Sequence, residues 1–548
     1  MNYYKPFDAP DGVSPKSENP SSVKTDLLLG LPVYGVSAEA PIVDNFCSPQ
    51  FNTPEEDFTL TNGVKVTNLV FDDPALTRLT RGNSRTIYYK LPCLSAVSGF
   101  AISMLLQKRE MGVRLPERID LFLSEDGEAW QRVYMLRGVP EANDPSIWSV
   151  ELDFDKIYKA SWVRLDIGTL THVWPENFSV YGTTAIPADA VSPVDDGATK
   201  EREALFLNRF PTTDELFGIE NICLAYNCMP PEKDRPTSSF SLEEMLPYVG
   251  YYDKEGNLKD TFFDSFLFLP YSAFTYSSHY KSAEGWKYYV DNTFAEGKNV
   301  DALNTAAEKV ENQLGVECKP KVFLTIFHTA PTYGDFPEKF GDIDDDGVDE
   351  DISTLEAKIK ATKWMIDTQI ARFKEKEYKN LSLCGFYWFE EQIDYENPHE
   401  FQVMFFARDY LHSMGYKMIW IPYYQASGFG DWKKFGFDVA CMQPNYAFNT
   451  SVPKQRLYDN AMLTKRYGLC YELEINDTYA PEYYDRYKEY LEVGKETGFM
   501  DSVKMYYQGG RTFYDMYMSK DPFAHSVYDD TYLFAKRKLE KPIRLGEI

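Results

Sequence analysis

Two textures of apolar and polar positions follow one another along this chain. From Asp26 to about Tyr181, apolar residues come in short runs broken by turn residues: RTIYYKL, VSGFAISML, RIDLFLS, RVYML and WVRLDIG. Helical periodicity is scarce there, so the pattern predicts an antiparallel β-sandwich. LSEDGEAW carries a tight turn that should join Leu123 to Trp130. From Asn221 onward eight apolar runs appear: NICLAYN, DSFLFLPY, KVFLTIF, LSLCGFYWF, KMIWIPYY, DVACMQPNY, GLCYELEI and SVKMYYQGG. Charged, helix-like stretches separate them, and VYDDTYLFAKRKL would be the closing helix. Eight strands alternating with helices predict a (β/α)8 barrel. The stretch TTAIPADAVSPVDDGATKERE has no apolar periodicity and reads as a boundary. The expected order is a Pro- and Ser-rich tail over 1–23, a β-sandwich over 24–183, a linker over 184–217 and the barrel over 218–548.

Composition narrows the function classes. A chain of 548 residues exceeds a single core. Its net charge of −27 argues against a nucleic-acid partner, whose affinity rests on Lys and Arg neutralising phosphates. It argues equally against an anionic membrane surface, and it suits neutral or cationic ligands. No apolar run is long enough for a transmembrane helix, so no membrane insertion is expected. The first residues, MNYYKPFDAPDG, do not read as a signal peptide. The eight cysteines have no metal-type spacing, and Cys384, Cys441 and Cys470 lie inside apolar runs as small buried hydrophobes.

The candidate chemistry lies between Leu381 and Asp477. Two apolar runs end in carboxylate pairs, Glu390/Glu391 and Glu472/Glu474, and by count these are barrel strands four and seven. Both pairs would reach the end of the barrel where such enzymes keep their active sites. Residues two apart on a strand share a face, so Glu472 and Glu474 should both point to the axis. Glu390 and Glu391 are adjacent, so only one can face inward without a bulge. Paired carboxylates are the minimal equipment for breaking a glycosidic bond.

Several segments carry a family resemblance. LPYVGYYDKEGNLKDTFFDSFLFLPY, FGDIDDDGV, GFYWFEEQI, MQPNYAF and YELEIND, spread over residues 218–540, resemble an uncharacterised bacterial family of glycoside-hydrolase-like TIM-barrel proteins, a domain-of-unknown-function family. RTIYYKL, GVRLPERIDLFLSEDGEAW and WVRLDIG resemble discoidin-type, galactose-binding-like sandwich domains, which bind sugars or pack on a catalytic partner. The resemblance implies a carbohydrate partner, polysaccharide degradation and a periplasmic, cell-surface or secreted location. Retaining barrel hydrolases place an acid/base after strand four and a nucleophile after strand seven. By that likeness Glu391 would be the acid/base and Glu474 the nucleophile, although Glu390 stands where the usual Asn precedes the acid. Glu390 would be an auxiliary, and Glu472 would hold Glu474 in place or raise the acid's pKa as a like charge.

Polar and aromatic residues at other strand ends complete the expected sugar groove. They are Trp388, Tyr423, Gln443, Asn445, Tyr446 and Tyr507, with Tyr226, Tyr271, Tyr424 and Gln508 in the wider set. No cofactor is expected. GDIDDDGVDED places Asp342, Asp344, Asp346 and Gly347 at calcium-loop spacing, but Ser353 stands where an EF-hand needs Glu. It reads as a solvated acidic turn, with a structural calcium ion as the alternative. The histidines form no HExxH set, though His328 ends a strand, and GxSxG and GxGxxG are absent. The rival readings are a non-catalytic carbohydrate-binding protein and a lyase using a Tyr or His base.

Overall fold

A computed structural model describes residues 25–31, 35–38, 83–107, 113–138, 140, 142–169, 173–203, 206–230, 239–329, 339–394, 397–424 and 426–547. The expected tail over 1–23, and Cys47, lie outside them. The chain divides after Phe206 into two compact units.

Among the described residues of the first unit, seven strands form one antiparallel sheet. They are β1 (Thr25–Asp26), β2 (Gly35–Ala38), β3 (Asn83–Leu106), β4 (Arg118–Ser124), β5 (Gln131–Arg137), β6 (Ser146–Thr169) and β7 (Trp174–Thr183). The order is β1-β7-β3-β6-β4-β5, with β2 paired to β3. The runs RTIYYKL and VSGFAISML, expected as separate strands, are two halves of the 24-residue β3. Register shifts at Lys90/Ser95 and Val97/Gly99 explain this. Bulges let a strand bend and exchange partners without ending. The first half of β3 pairs with β2, the second half with β7, and β6 follows it throughout. One apolar cluster takes Ile87 and Tyr89 from the first half, Phe100 and Ile102 from the second, and Leu121 and Leu165 from β4 and β6. The expected turn after Leu123 is present: Asp126 Oδ1 accepts the N–H groups of Glu128 and Ala129 at 2.8 and 2.9 Å, and β4 and β5 pair across it. After β7, Val191 bridges to Tyr158 and Ala198 packs on Phe122 and Trp130.

The second unit holds a closed, all-parallel barrel. Its strands are β8 (Asn221–Tyr226), β11 (Ser265–Leu269), β12 (Lys321–Phe327), β13 (Ser382–Phe389), β14 (Lys417–Trp420), β15 (Val439–Met442), β16 (Cys470–Glu474) and β17 (Lys504–Tyr507). A hairpin of β9 (Gly250–Tyr252) and β10 (Leu258–Thr261) lies between the first two. Each of the eight apolar runs supplies one barrel strand. The interior takes at least one side chain from every strand, among them Leu224, Leu267, Phe323, Tyr387, Ile419, Cys441, Cys470 and Met505. Strands and helices alternate because the sequence supplies stops between them. Gly468, in the left-handed region at φ 67°, ends the helix Gln455–Tyr467 just before β16. Proline opens the helices Pro481–Thr497 and Pro522–Ala535, where its missing N–H is not needed. The last of these covers most of the expected closing helix.

Gly385 shows how tightly β13 is held. A Cβ at this position would lie 2.3 Å from the Lys417 carbonyl oxygen and 2.9 Å from the Phe323 ring. Gly385→Ala should therefore lower stability by about 1–3 kcal/mol, read as a lower chemical-denaturation midpoint. An unchanged midpoint would show that β13 and β14 can separate without cost.

Candidate active site

Backbone geometry sends the two adjacent glutamates after β13 in different directions. Trp420 Nε1 donates to the Glu390 carbonyl at 2.6 Å, and Tyr423 N–H donates to the Glu391 carbonyl at 3.2 Å. The Glu390 carboxylate lies 3.9 Å from His328 Nδ1. The opposite ring nitrogen of His328, Nε2, is 2.7 Å from Glu400 on the helix Glu400–Ser413, and Asn397 also donates to that carboxylate at 3.2 Å. His328 and Glu400 are both buried. A carboxylate–imidazole–carboxylate series thus stands behind the end of β13. Removing the imidazole would strand the Glu400 charge. His328→Ala should cost about 3–5 kcal/mol in a urea titration, and a loss under about 1 kcal/mol would show that Glu400 finds another partner.

Glu391 turns instead toward Gln443, just past the sixth barrel strand. Its carboxylate is hydrogen-bonded by the Gln443 side chain, and Glu390 and Glu474 act on it as like charges. The surrounding protein pushes its pKa up to about 7, with burial the largest cause, then opposed by Gln443 and reinforced by the two glutamates. The residue is nonetheless exposed at the barrel mouth.

On β16 the alternation holds: Cys470 joins the barrel interior, while Tyr471 points outward and donates its phenol to the Leu457 carbonyl at 3.1 Å. Glu472 and Glu474 are both buried, but their surroundings are opposite. Glu474 accepts the N–H of Asn445 at 3.2 Å, the N–H of Tyr446 at 3.1 Å and the phenol of Tyr490 at 2.5 Å. Asn445 sits in the left-handed region at φ 51°, which turns two successive N–H groups onto one carboxylate. Burial raises the Glu474 pKa to about 7 against these donors and Arg456, which pull it down. Glu472 Oε1 has no hydrogen-bond partner, and burial, Glu474 and Glu391 push its pKa well up. Asn445, Tyr446 and Tyr490 hold Glu474, so the expected bracing by Glu472 is replaced by donors from the neighbouring loop and helix. Glu390 and Glu474 act on Glu391 as like charges, and Glu391 and Glu472 repel one another in the same way.

The other expected contacts divide. Tyr507 packs edge-on against Tyr226 and Phe448, and Tyr226 against Tyr271, with ring centres 5.4–5.6 Å apart. Half-buried Tyr423 donates its phenol to Gln392 at 2.9 Å. Gln443 and Asn445 are half-buried beside the carboxylates. Trp388 lies wholly buried, edge-on to His328 at 5.4 Å, and Tyr387 occupies the axial side of β13 instead. Tyr446 is buried on the outer side, its phenol bonded to Glu489 and its ring covered by Arg486 at 3.6 Å; it meets the site only through its N–H. Sequence reasoning missed Tyr387, Phe448, Glu400 and Tyr490. The alternation of Tyr387 with Phe389 was the available signal for the first. Glu400 and Tyr490 carry none, because both belong to helices that contact the site only in three dimensions.

Two further features lie elsewhere. In the acidic loop, Asp342, Asp344 and Glu350 are close enough to hold one cation. The Lys360 ammonium stands 2.9 Å from Asp344, 2.8 Å from Asp346 and 2.7 Å from Glu350, so the loop already has a positive partner. A cavity of about 300 Å³ opens at the opposite, amino-terminal end of the barrel, beside Asn221, Asp264 and Lys321. Asp264 there accepts the N–H groups of Glu220 and Asn221 at 3.1 Å, the role of a structural carboxylate. This cavity is therefore at the end of the barrel away from the carboxylates of the mouth.

The fold defines a two-unit protein whose parallel barrel gathers carboxylates at the carboxyl ends of its strands. This chain belongs to the family described as a domain of unknown function, DUF4855, which matches residues 221–533. None of the curated proteins matches it. Among solved structures it is similar to a xylanase 10C mutant from Cellvibrio japonicus in complex with xylopentaose, at 11% identity over 78% of this chain and 83% of that one, TM-score 0.28. It is also similar to a family 89 glycoside hydrolase from Clostridium perfringens, at 10% identity over 93% of this chain and 67% of that one, TM-score 0.28. A third is CBM32-3 from a family 31 glycoside hydrolase of Clostridium perfringens, at 14% identity over 29% of this chain and 95% of that one, TM-score 0.19. No helix among the described residues is long and apolar enough to cross a membrane.

Proposed function

We propose that the barrel is a retaining glycoside hydrolase. The observation that carries this reading is the grouping of Glu391, after the fourth barrel strand, with Glu472 and Glu474 on the seventh, each within electrostatic reach of another. Glu391 protonates the leaving oxygen while Glu474 attacks the anomeric carbon and the glycosidic bond breaks. Glu391 then takes a proton from the water that displaces Glu474. The raised pKa of Glu391 suits an acid that must still hold its proton near neutrality. Three donors and Arg456 favour the ionised form of Glu474, as a nucleophile requires. Glu390, backed by His328 and Glu400, is an auxiliary charge beside the acid.

Tyr226, Tyr271, Phe448 and Tyr507 give the mouth an aromatic wall suited to sugar rings. Tyr423, Gln443 and Asn445 supply polar contacts. The first unit is read as a discoidin-like sugar-binding module, and the whole as a periplasmic, cell-surface or secreted protein of polysaccharide degradation. The test is release of new reducing ends from a panel of poly- and oligosaccharides. Affinity by calorimetry with no release over long incubation would make the chain a carbohydrate-binding protein instead. New absorbance from an unsaturated product would make it a lyase.

A further inference from the structure

We infer, resting on the reading of the barrel as a carbohydrate-active site, that the glycan bound at its mouth carries a free, protonated amine on the sugar that meets Glu472. The starting point is an imbalance among buried carboxylates. Glu474 has three donors, Glu400 has His328 and Asn397 on its Oε2 while its Oε1 is unpartnered, and Asp530 has Lys488 at 2.5 Å. Glu472, only 2% exposed, has an Oε1 with no partner. A buried polar atom left unsatisfied costs stability and marks a place where a missing group belongs.

The neighbours of Glu472 say what kind of group that is. Within electrostatic reach of it are the carboxylates of Glu391 and Glu474, the phenols of Tyr226, Tyr387 and Tyr507, and the thiol of Cys441. Among the described residues, no lysine or arginine forms an ion pair with Glu391, Glu472 or Glu474; Arg456 acts on Glu474 from the helix behind it. A sugar hydroxyl could satisfy one lone pair but would leave in place the like-charge repulsion that disfavours ionised Glu472. A sugar ammonium supplies donors and charge together. A divalent ion fits less well. The one group of three described ligand side chains close enough to share an ion is Asp342, Asp344 and Glu350, so the carboxylates at the mouth are too widely spaced for it. The net charge of −27 attracts a polycationic glycan from a distance as well. An N-acetylated sugar keeps an N–H donor but lacks the charge, so the same arrangement favours the free amine over it.

The experiment is calorimetry on the full chain with glucosamine and galactosamine oligomers, their N-acetylated forms, and calcium ion alone. The amine-bearing oligomers should bind about tenfold or more tightly than the acetylated ones. Glu472→Gln, close in shape, should erase that difference. The wild-type comparison stands even if the variant does not fold. Equal affinity for the two forms, a preference that survives in Glu472→Gln, or no binding of any amine-bearing oligomer overturns the inference. So does calcium binding that depends on Glu472. Reducing-end release from acetylated or neutral glycans, lost in Glu391→Gln, would leave the hydrolase reading intact while removing the amine. Amine-selective binding without turnover would do the reverse.

Discussion

Glu391→Gln should lower the hydrolysis of an unactivated glycan by about 10²–10⁴-fold, the usual range for a positioned general acid. The side chain keeps its shape and its neighbour Gln443, so the loss isolates the proton. Two signatures separate this from general damage. A substrate whose leaving group departs without protonation should suffer much less in the first step, because that step no longer needs the acid. The pH profile should change as well. Glu391, with its pKa raised toward about 7, must be protonated for bond cleavage, so the wild-type rate should fall on the alkaline side. That limb should vanish in the variant. An unchanged rate on every hydrolysed substrate would remove Glu391 from the chemistry, and an unchanged alkaline limb would assign it to another group.

The second large effect is a contrast between residues two positions apart. Glu474→Ala should abolish turnover, by on the order of 10⁴-fold or more. It should also destabilise the barrel by about 3–5 kcal/mol, because it orphans the N–H groups of Asn445 and Tyr446 and the Tyr490 phenol at once. Glu472→Gln should act in the opposite sense on stability. The folded-state pKa of Glu472 lies above its ordinary value, so its contribution to stability is present in acid and is lost as pH rises through that raised value. The variant cannot suffer that loss. At pH 4 it should match the wild type, and at pH 8 it should unfold at a higher denaturant concentration than the wild type. If both substitutions destabilise equally at pH 8, Glu472 has a partner after all, and the claim that its Oε1 is unsatisfied falls.

Much of this arrangement could be read before any coordinates. Apolar runs bounded by turn and capping residues located all eight barrel strands, because a strand buried on both faces leaves a continuous mark on the sequence. Counting those runs put Glu390/Glu391 and Glu472/Glu474 on the fourth and seventh. Alternation then oriented β16. What stayed hidden was everything decided by a second element. The bulges that merge two runs into β3 depend on its partners' register. Position near a strand end marks Trp388 as a sugar contact, but its neighbour Tyr387 owns the axial face. The difference between Glu472 and Glu474 rests on a loop conformation at Asn445 and a helix residue, Tyr490, that no local pattern ties to β16.

Barrel closure also constrains how the protein is made. The first strand, β8, pairs with the last, β17, and Tyr506 donates its phenol to Asn221 across 285 positions of sequence. A ribosome adding roughly 5–20 residues per second needs roughly 15–60 s to span that interval. For all of that time β8 waits with one edge unpaired, and such edges invite pairing with other chains. Productive yield in a cell should therefore depend less on the finished barrel's stability than on how well the nascent chain is shielded until its last strand emerges.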